Sequence, residues 1–132
     1  RNPFDIISTM TLRSNEKNGN SHKIDNPLKL LPFIKLFFDR VEVVHQLRNA
    51  PQISIFDLYH EKFLKDPLKG LSELLDFLEL DKSDKYLEKC VEIVYGKPKV
   101  SRNKIPWPES LINFVQEKID GYDFLRGYTF NN

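Results

Sequence analysis

The sequence predicts the helix-rich, C-terminal part of an α/β domain. Three observations point there. Most of the chain carries apolar residues at the three-and-four spacing of helices. One short segment, residues 53–58 (Ile-Ser-Ile-Phe-Asp-Leu), is β-branched and alternating, as a strand is. One hydrophobic strand cannot make a sheet by itself. Its partners, and the start of the domain, are therefore expected upstream of Arg1, with all 132 residues forming the C-terminal portion of one domain.

Composition narrows the class. Twenty Lys and Arg face nineteen Asp and Glu, a formal net charge of +1, and 40% of residues are hydrophobic. That balance is globular, and it excludes a disordered acidic tail or a polybasic nucleic-acid arm. One cysteine, Cys90, excludes a disulfide framework within the chain and a multi-cysteine zinc site. Its helix-face position predicts a buried core residue. No apolar run approaches the roughly 20 residues of a membrane span.

Asn2 and Pro3 read as the N-cap and first position of a helix carrying Ile6, Ile7, Met10 and Leu12. Residues 14–26 are polar and rich in Asn and Ser, which predicts a loop. From Pro27 to Arg48 the pattern is a long helix, with Pro32 delaying its true start. Leu28, Leu31, Ile34, Phe38 and Val41 make one stripe; Leu30, Phe33, Phe37, Val44 and Leu47 widen it, which predicts burial on more than one side. Asn49-Ala50-Pro51 ends it. After the strand at 53–58, Asp66 caps a helix opened by Pro67, with Leu68, Leu71, Leu74, Leu75 and Leu78 inward. Asp81 or Ser83 opens the next, with Tyr86, Leu87, Cys90, Val91 and Val94 inward and Gly96 as its stop. Residues 97–107 are basic and hold two prolines, a loop. Pro108 begins the last helix, which uses Leu111, Ile112, Val115 and Ile119. Gly121 ends it, and an aromatic tail of Tyr122, Phe124, Tyr128 and Phe130 follows.

No Gly-rich phosphate loop is present, and His22, His45 and His60 lack metal-ligand spacing. Asp57, Glu61 and Asp66 read as a solvated turn with a cap rather than a catalytic pair. Two features rise above background. Arg1 lies just before a helix N-terminus, with Ser8 and Thr9 two turns along. A guanidinium fork beside free N–H groups suits an anion, although a capped helix with an unrelated arginine has the same pattern. Lys97, Lys99, Ser101, Arg102 and Lys104 gather cations and a hydroxyl in one loop, which fits either a polyphosphate wrap or a solvated connection.

Arg1-Asn2-Pro3-Phe4-Asp5-Ile6-Ile7-Ser8-Thr9 resembles the 3′-phosphate motif of sulfotransferases of the P-loop-like family, which use 3′-phosphoadenosine 5′-phosphosulfate. Arg1 falls on the motif's arginine. Its serine position falls on Thr9, which keeps the hydroxyl; Ser8 is the alternative if the register shifts by one. Residues 58–67, with Tyr59, His60, Glu61 and Asp66-Pro67, are similar to the family's strand-end signature and helix start. His60 stands where a tyrosine usually packs near the adenine, and Tyr59 is its neighbour. Residues 99–104 correspond in order to a late basic loop closing over the nucleotide. The family's Arg-Lys-Gly form is absent, so a role passes only to Ser101, Arg102 and Lys104. Trp107 and Pro108 are expected to anchor this loop to the last helix.

The resemblance implies a three-layer α/β domain with a parallel sheet, its strands mostly outside this chain. It implies an enzyme that moves a sulfuryl group from the donor to a hydroxyl or amine of a small-molecule or carbohydrate acceptor. The phosphosulfate loop and the catalytic base would precede Arg1, so residues 1–132 are expected to bind the donor and to be inactive alone. No metal, nucleic acid or membrane contact is called for. The compartment, cytoplasm or Golgi lumen, and a homo-oligomeric state stay open. The alternative is a non-enzymatic helical interaction module built on the Phe-rich helix of residues 27–48. A nucleotide kinase would need a Gly-x-x-x-x-Gly-Lys loop upstream instead.

Overall fold

The computed structural model describes residues 1–17, 19, 24–94 and 99–132, which are helix-rich. Six α-helices occur among them: α1 (Pro3–Lys17), α2 (Leu31–Arg48), α3 (His60–Lys65), α4 (Pro67–Phe77), α5 (Asp84–Glu92) and α6 (Glu109–Asp120). Short 3₁₀ turns stand at Pro27–Leu30, Arg102–Lys104 and Asp123–Leu125. The predicted stop at Gly96, the cation Lys97 and His22 lie outside the described residues.

The described residues contain no strand. Residues 53–58 are neither helix nor ladder, which corrects the expected strand. The reason is physical: backbone groups form a ladder only with a neighbouring strand, and the described residues offer none.

Two compact units divide the chain. The larger comprises Asn2–Ile53 and Val100–Asn132; the smaller comprises Arg1 with Ser54–Lys99.

The larger unit holds the hydrophobic core. Phe4 and Ile7 of α1, Ile34, Phe37, Phe38 and Val41 of α2, and Val115 and Ile119 of α6 are buried together, with Ile24, Leu30 and Ile105. The helix-start chemistry read from sequence explains α1. Asn2 Oδ1 accepts from Phe4 N at 2.9 Å, satisfying a donor the helix cannot pair itself. Asn2 Nδ2 donates to the main-chain oxygens of Thr129 (2.8 Å) and Asn132 (2.7 Å), so the cap also ties down the tail. The tail's aromatics close the core: Phe4 meets Trp107 and Phe130 edge to face, with centroids 5.3 and 5.2 Å apart.

Two expectations change in this unit. Helix α1 runs on to Lys17 instead of ending near Ser14, because buried Asn15 accepts from Lys29 Nζ at 2.9 Å and ties the last turn to the start of the next element. Helix α2 buries one face only. Its first residues form the 3₁₀ turn capped by Asn26, and Leu31, Leu36, Val43, Val44 and Leu47 remain exposed.

The smaller unit is thinly packed. Asp66 caps α4 as expected, accepting from Lys69 N at 3.1 Å with Pro67 next. Yet Gly70 is the single buried residue of α4 and Leu87 of α5. Leu68 and Leu78 are exposed rather than inward, Tyr86 is 61% exposed, and Cys90 is half-buried rather than core. Helix α3, one and a half turns between the anticipated strand and α4, was not expected.

Candidate functional site

The residues that the resemblance assigns to the donor fall into both units. Ser8, Thr9, Ser101, Arg102 and Lys104 belong to the larger one, and Arg1, Tyr59 and His60 to the smaller.

In the larger unit, the motif helix and the late basic loop meet. Thr9 Oγ1 donates to Ser101 Oγ at 3.0 Å, across 92 residues of sequence. Asp5 is the hub of the contact. One carboxylate oxygen accepts from the backbone N–H of Ser101 (2.7 Å) and of Arg102 (2.9 Å). The other accepts from Arg102 Nη1 in a buried ion pair. Arg102 Nη2 donates on to Asn132 O at 2.8 Å. A buried charge is tolerable only when paired and hydrogen-bonded, and here both partners are.

Each predicted residue can now be assigned a position. Arg102 is 8% exposed and commits its guanidinium to Asp5 and Asn132, so it acts as a structural cation in this arrangement. Ser8 is fully buried and accepts from Trp107 Nε1 at 2.9 Å. Thr9 and Ser101 pair their hydroxyls, while the Ser8 hydroxyl is paired with Trp107. Lys104 ends the 3₁₀ turn and is exposed. Trp107 anchors the loop, but to α1 through Ser8 rather than only to α6.

In the smaller unit, Arg1 Nη2 donates to Lys99 O at 3.4 Å, and its backbone nitrogen lies 3.6 Å from Glu61 Oε2. Tyr59 precedes α3, and Lys62 Nζ sits 4.9 Å from the centre of its ring, a cation–π contact. Tyr59 and Lys62 also line an open cleft of about 510 Å³ with Asp57, Phe63, Lys65 and Lys69. His60 is half-buried at the first position of α3, with Nδ1 4.0 Å from Glu61 Oε1 and no hydrogen-bond partner for that buried nitrogen. Burial lowers the imidazole pKa from its ordinary 6.5, positive charge at Arg1 lowers it further, and Glu61 opposes both.

The sequence reading did not anticipate Asp5 as the residue that joins α1 to the loop. The signal was present: an acid three residues into a helix whose cap is already supplied by Asn2 has its acceptors free for other donors. Among the described residues, no group of three or more His, Cys, Asp and Glu is arranged to hold a metal ion, and no helix is long and apolar enough to cross a membrane.

Comparison with known proteins adds no relative: no protein family, no curated protein and no solved structure matches the chain.

Proposed function

We propose that this chain is the donor-binding part of a sulfotransferase using 3′-phosphoadenosine 5′-phosphosulfate, within a three-layer α/β domain. One observation carries the reading: the helix bearing the Arg-Asn-Pro-x-Asp motif and the late basic loop, each assigned to the nucleotide by resemblance, are joined through Thr9, Asp5, Ser101 and Arg102. Thr9 and Ser101 bring two hydroxyls into one spot, with Lys104 exposed on the same turn. Hydroxyls and a cation are the groups a phosphate ester accepts from. The exposed Ile55, Leu58, Leu68 and Phe77 of the smaller unit agree with a domain whose sheet lies outside residues 1–132.

The chemistry is in-line transfer of a sulfuryl group to a hydroxyl or amine of a small-molecule or carbohydrate acceptor. Fixed cations and N–H groups stabilise the spread negative charge of the transition state. By the same resemblance, the base that takes the acceptor's proton would precede the Arg-Asn-Pro motif.

Calorimetric titration of adenosine 3′,5′-bisphosphate into the full-length protein tests this. Binding is expected, and Arg1→Ala should weaken it by about 1–3 kcal/mol, the worth of a charge-assisted hydrogen bond. No binding by the unaltered protein rejects the reading; unchanged affinity in Arg1→Ala removes Arg1 from the site. The apolar residues exposed along α2, Leu31, Leu36, Val43, Val44 and Leu47, favour the second reading, a helical interaction module. That module would bind a partner protein and ignore the nucleotide.

A further inference from the structure

The Asp5 carboxylate does more than close an ion pair. It stands at the third position of α1, where an acid often reaches back to the cap residue's own N–H. Here one of its oxygens accepts instead from two successive amides of a loop almost a hundred residues away. Those amides belong to Ser101 and Arg102, so the carboxylate sets where the Ser101 backbone sits. The Ser101 hydroxyl then lies 3.0 Å from Thr9 Oγ1, one helical turn beyond Asp5 on the same helix. Asp5 and Thr9 are four residues apart and share a face of α1. One helix face thus fixes Ser101 twice, its backbone through Asp5 and its side chain through Thr9.

Charge supplies the second half of the argument. A bare carboxylate beside a phosphate subsite would repel the ligand. Arg102 cancels that charge in a pair buried on both sides, at 9% side-chain exposure against 6% for Asp5. Arg102 is thereby consumed, and the basic character of the turn passes to exposed Lys104.

We infer that Asp5 is a positioning residue for the 3′-phosphate subsite, holding the Ser101 amide so that the Ser101 hydroxyl meets Thr9, while Arg102 neutralises it. This rests on the donor-binding reading above and adds to it a residue that touches the loop and not the ligand.

The test compares two ligands on the full-length protein: adenosine 3′,5′-bisphosphate and adenosine 5′-monophosphate. Their affinity ratio isolates what the 3′-phosphate contributes. Removing Asp5 alone strands Arg102, so the variant of choice is Asp5→Ala/Arg102→Ala, which leaves no unpaired buried charge. The ratio is expected to fall by about tenfold or more, with affinity for the monophosphate changed by less than about threefold. Amide exchange at Ser101 and Arg102 should quicken in the same variant. Asp5→Asn/Arg102→Ala, which keeps one acceptor oxygen for the two amides and leaves no unpaired charge, should recover part of the ratio. A parallel loss of affinity for both ligands, or an unchanged ratio, overturns the positioning role. A ratio near one in the unaltered protein strikes at the donor-binding reading itself. If exchange at Ser101 and Arg102 still quickens in that case, the clamp exists but serves no 3′-phosphate, and the inference falls with the reading.

Discussion

The two units are built from similar helical sequence yet pack very differently. Among the described residues, eleven of the twelve buried hydrophobics lie in the unit of Asn2–Ile53 and Val100–Asn132, and Leu87 lies in the other. The difference does not come from a shortage of apolar side chains. Ile55, Leu58, Leu68, Phe77, Leu78, Leu80 and Ile93 are all in the smaller unit and all exposed. What the larger unit has is three helices presenting apolar faces to one another and an aromatic tail that closes over them. An apolar stripe becomes a core only when another stripe is there to meet it.

Removing one core side chain should expose that contrast most sharply. Phe4 is fully buried and touches Trp107 and Phe130 edge to face. Phe4→Ala is expected to cost about 3–5 kcal/mol. Leu78→Ala on half-exposed α4 packing should cost under about 1 kcal/mol. Denaturant titration of each variant measures both. Equal costs would mean that the smaller unit is packed as tightly as the larger.

A gain is expected at one position of the smaller unit. The end of α4 is a Schellman turn: Leu80 N donates to Leu75 O at 3.0 Å and Glu79 N to Asp76 O at 3.1 Å. The left-handed residue this turn demands is Glu79, with φ of 54°. A side chain with a Cβ pays a steric penalty there, and glycine does not. Glu79→Gly should therefore raise the stability of α4 by up to about 1 kcal/mol, read as slower amide exchange along that helix. Faster exchange would mean that glycine's extra unfolded-state freedom outweighs the relief.

What the sequence made legible follows the same division. Caps and breakers act over three or four residues, so Asn2-Pro3, Asp66-Pro67 and Gly121 marked helix ends that the structure has. The stripe of Ile34, Phe38 and Val41 is likewise local, and it is core. Burial of Leu68, Leu78 and Tyr86 depends on a partner surface, which a spacing pattern does not supply, and they are exposed. The strand at 53–58 failed for the same reason. In the candidate site, the residue types of the motif and the loop were readable. Which of them would be spent on each other was not: Arg102 pairs with Asp5 and Ser8 with Trp107, contacts that span 97 and 99 residues.

The smallest expected effect is a pH dependence confined to the smaller unit. Burial, aided by positive charge at Arg1, lowers the His60 pKa below 6.5 despite Glu61. The sign follows from proton uptake. Above the unfolded value both states carry neutral imidazole, and His60 contributes no pH dependence. As pH falls through that value, the unfolded chain takes up the proton before the folded one does, so stability declines until the folded pKa is passed. The side chain is 36% exposed, so solvent screening keeps the decline small. Amide exchange in α3 and α4 should quicken modestly between about pH 7 and pH 5 relative to the same protein with His60→Gln, while α1 shows no such difference. An imidazole titration by NMR with a midpoint above the ordinary histidine value would mean that Glu61, not burial, governs this ring, and the sign of the effect would reverse.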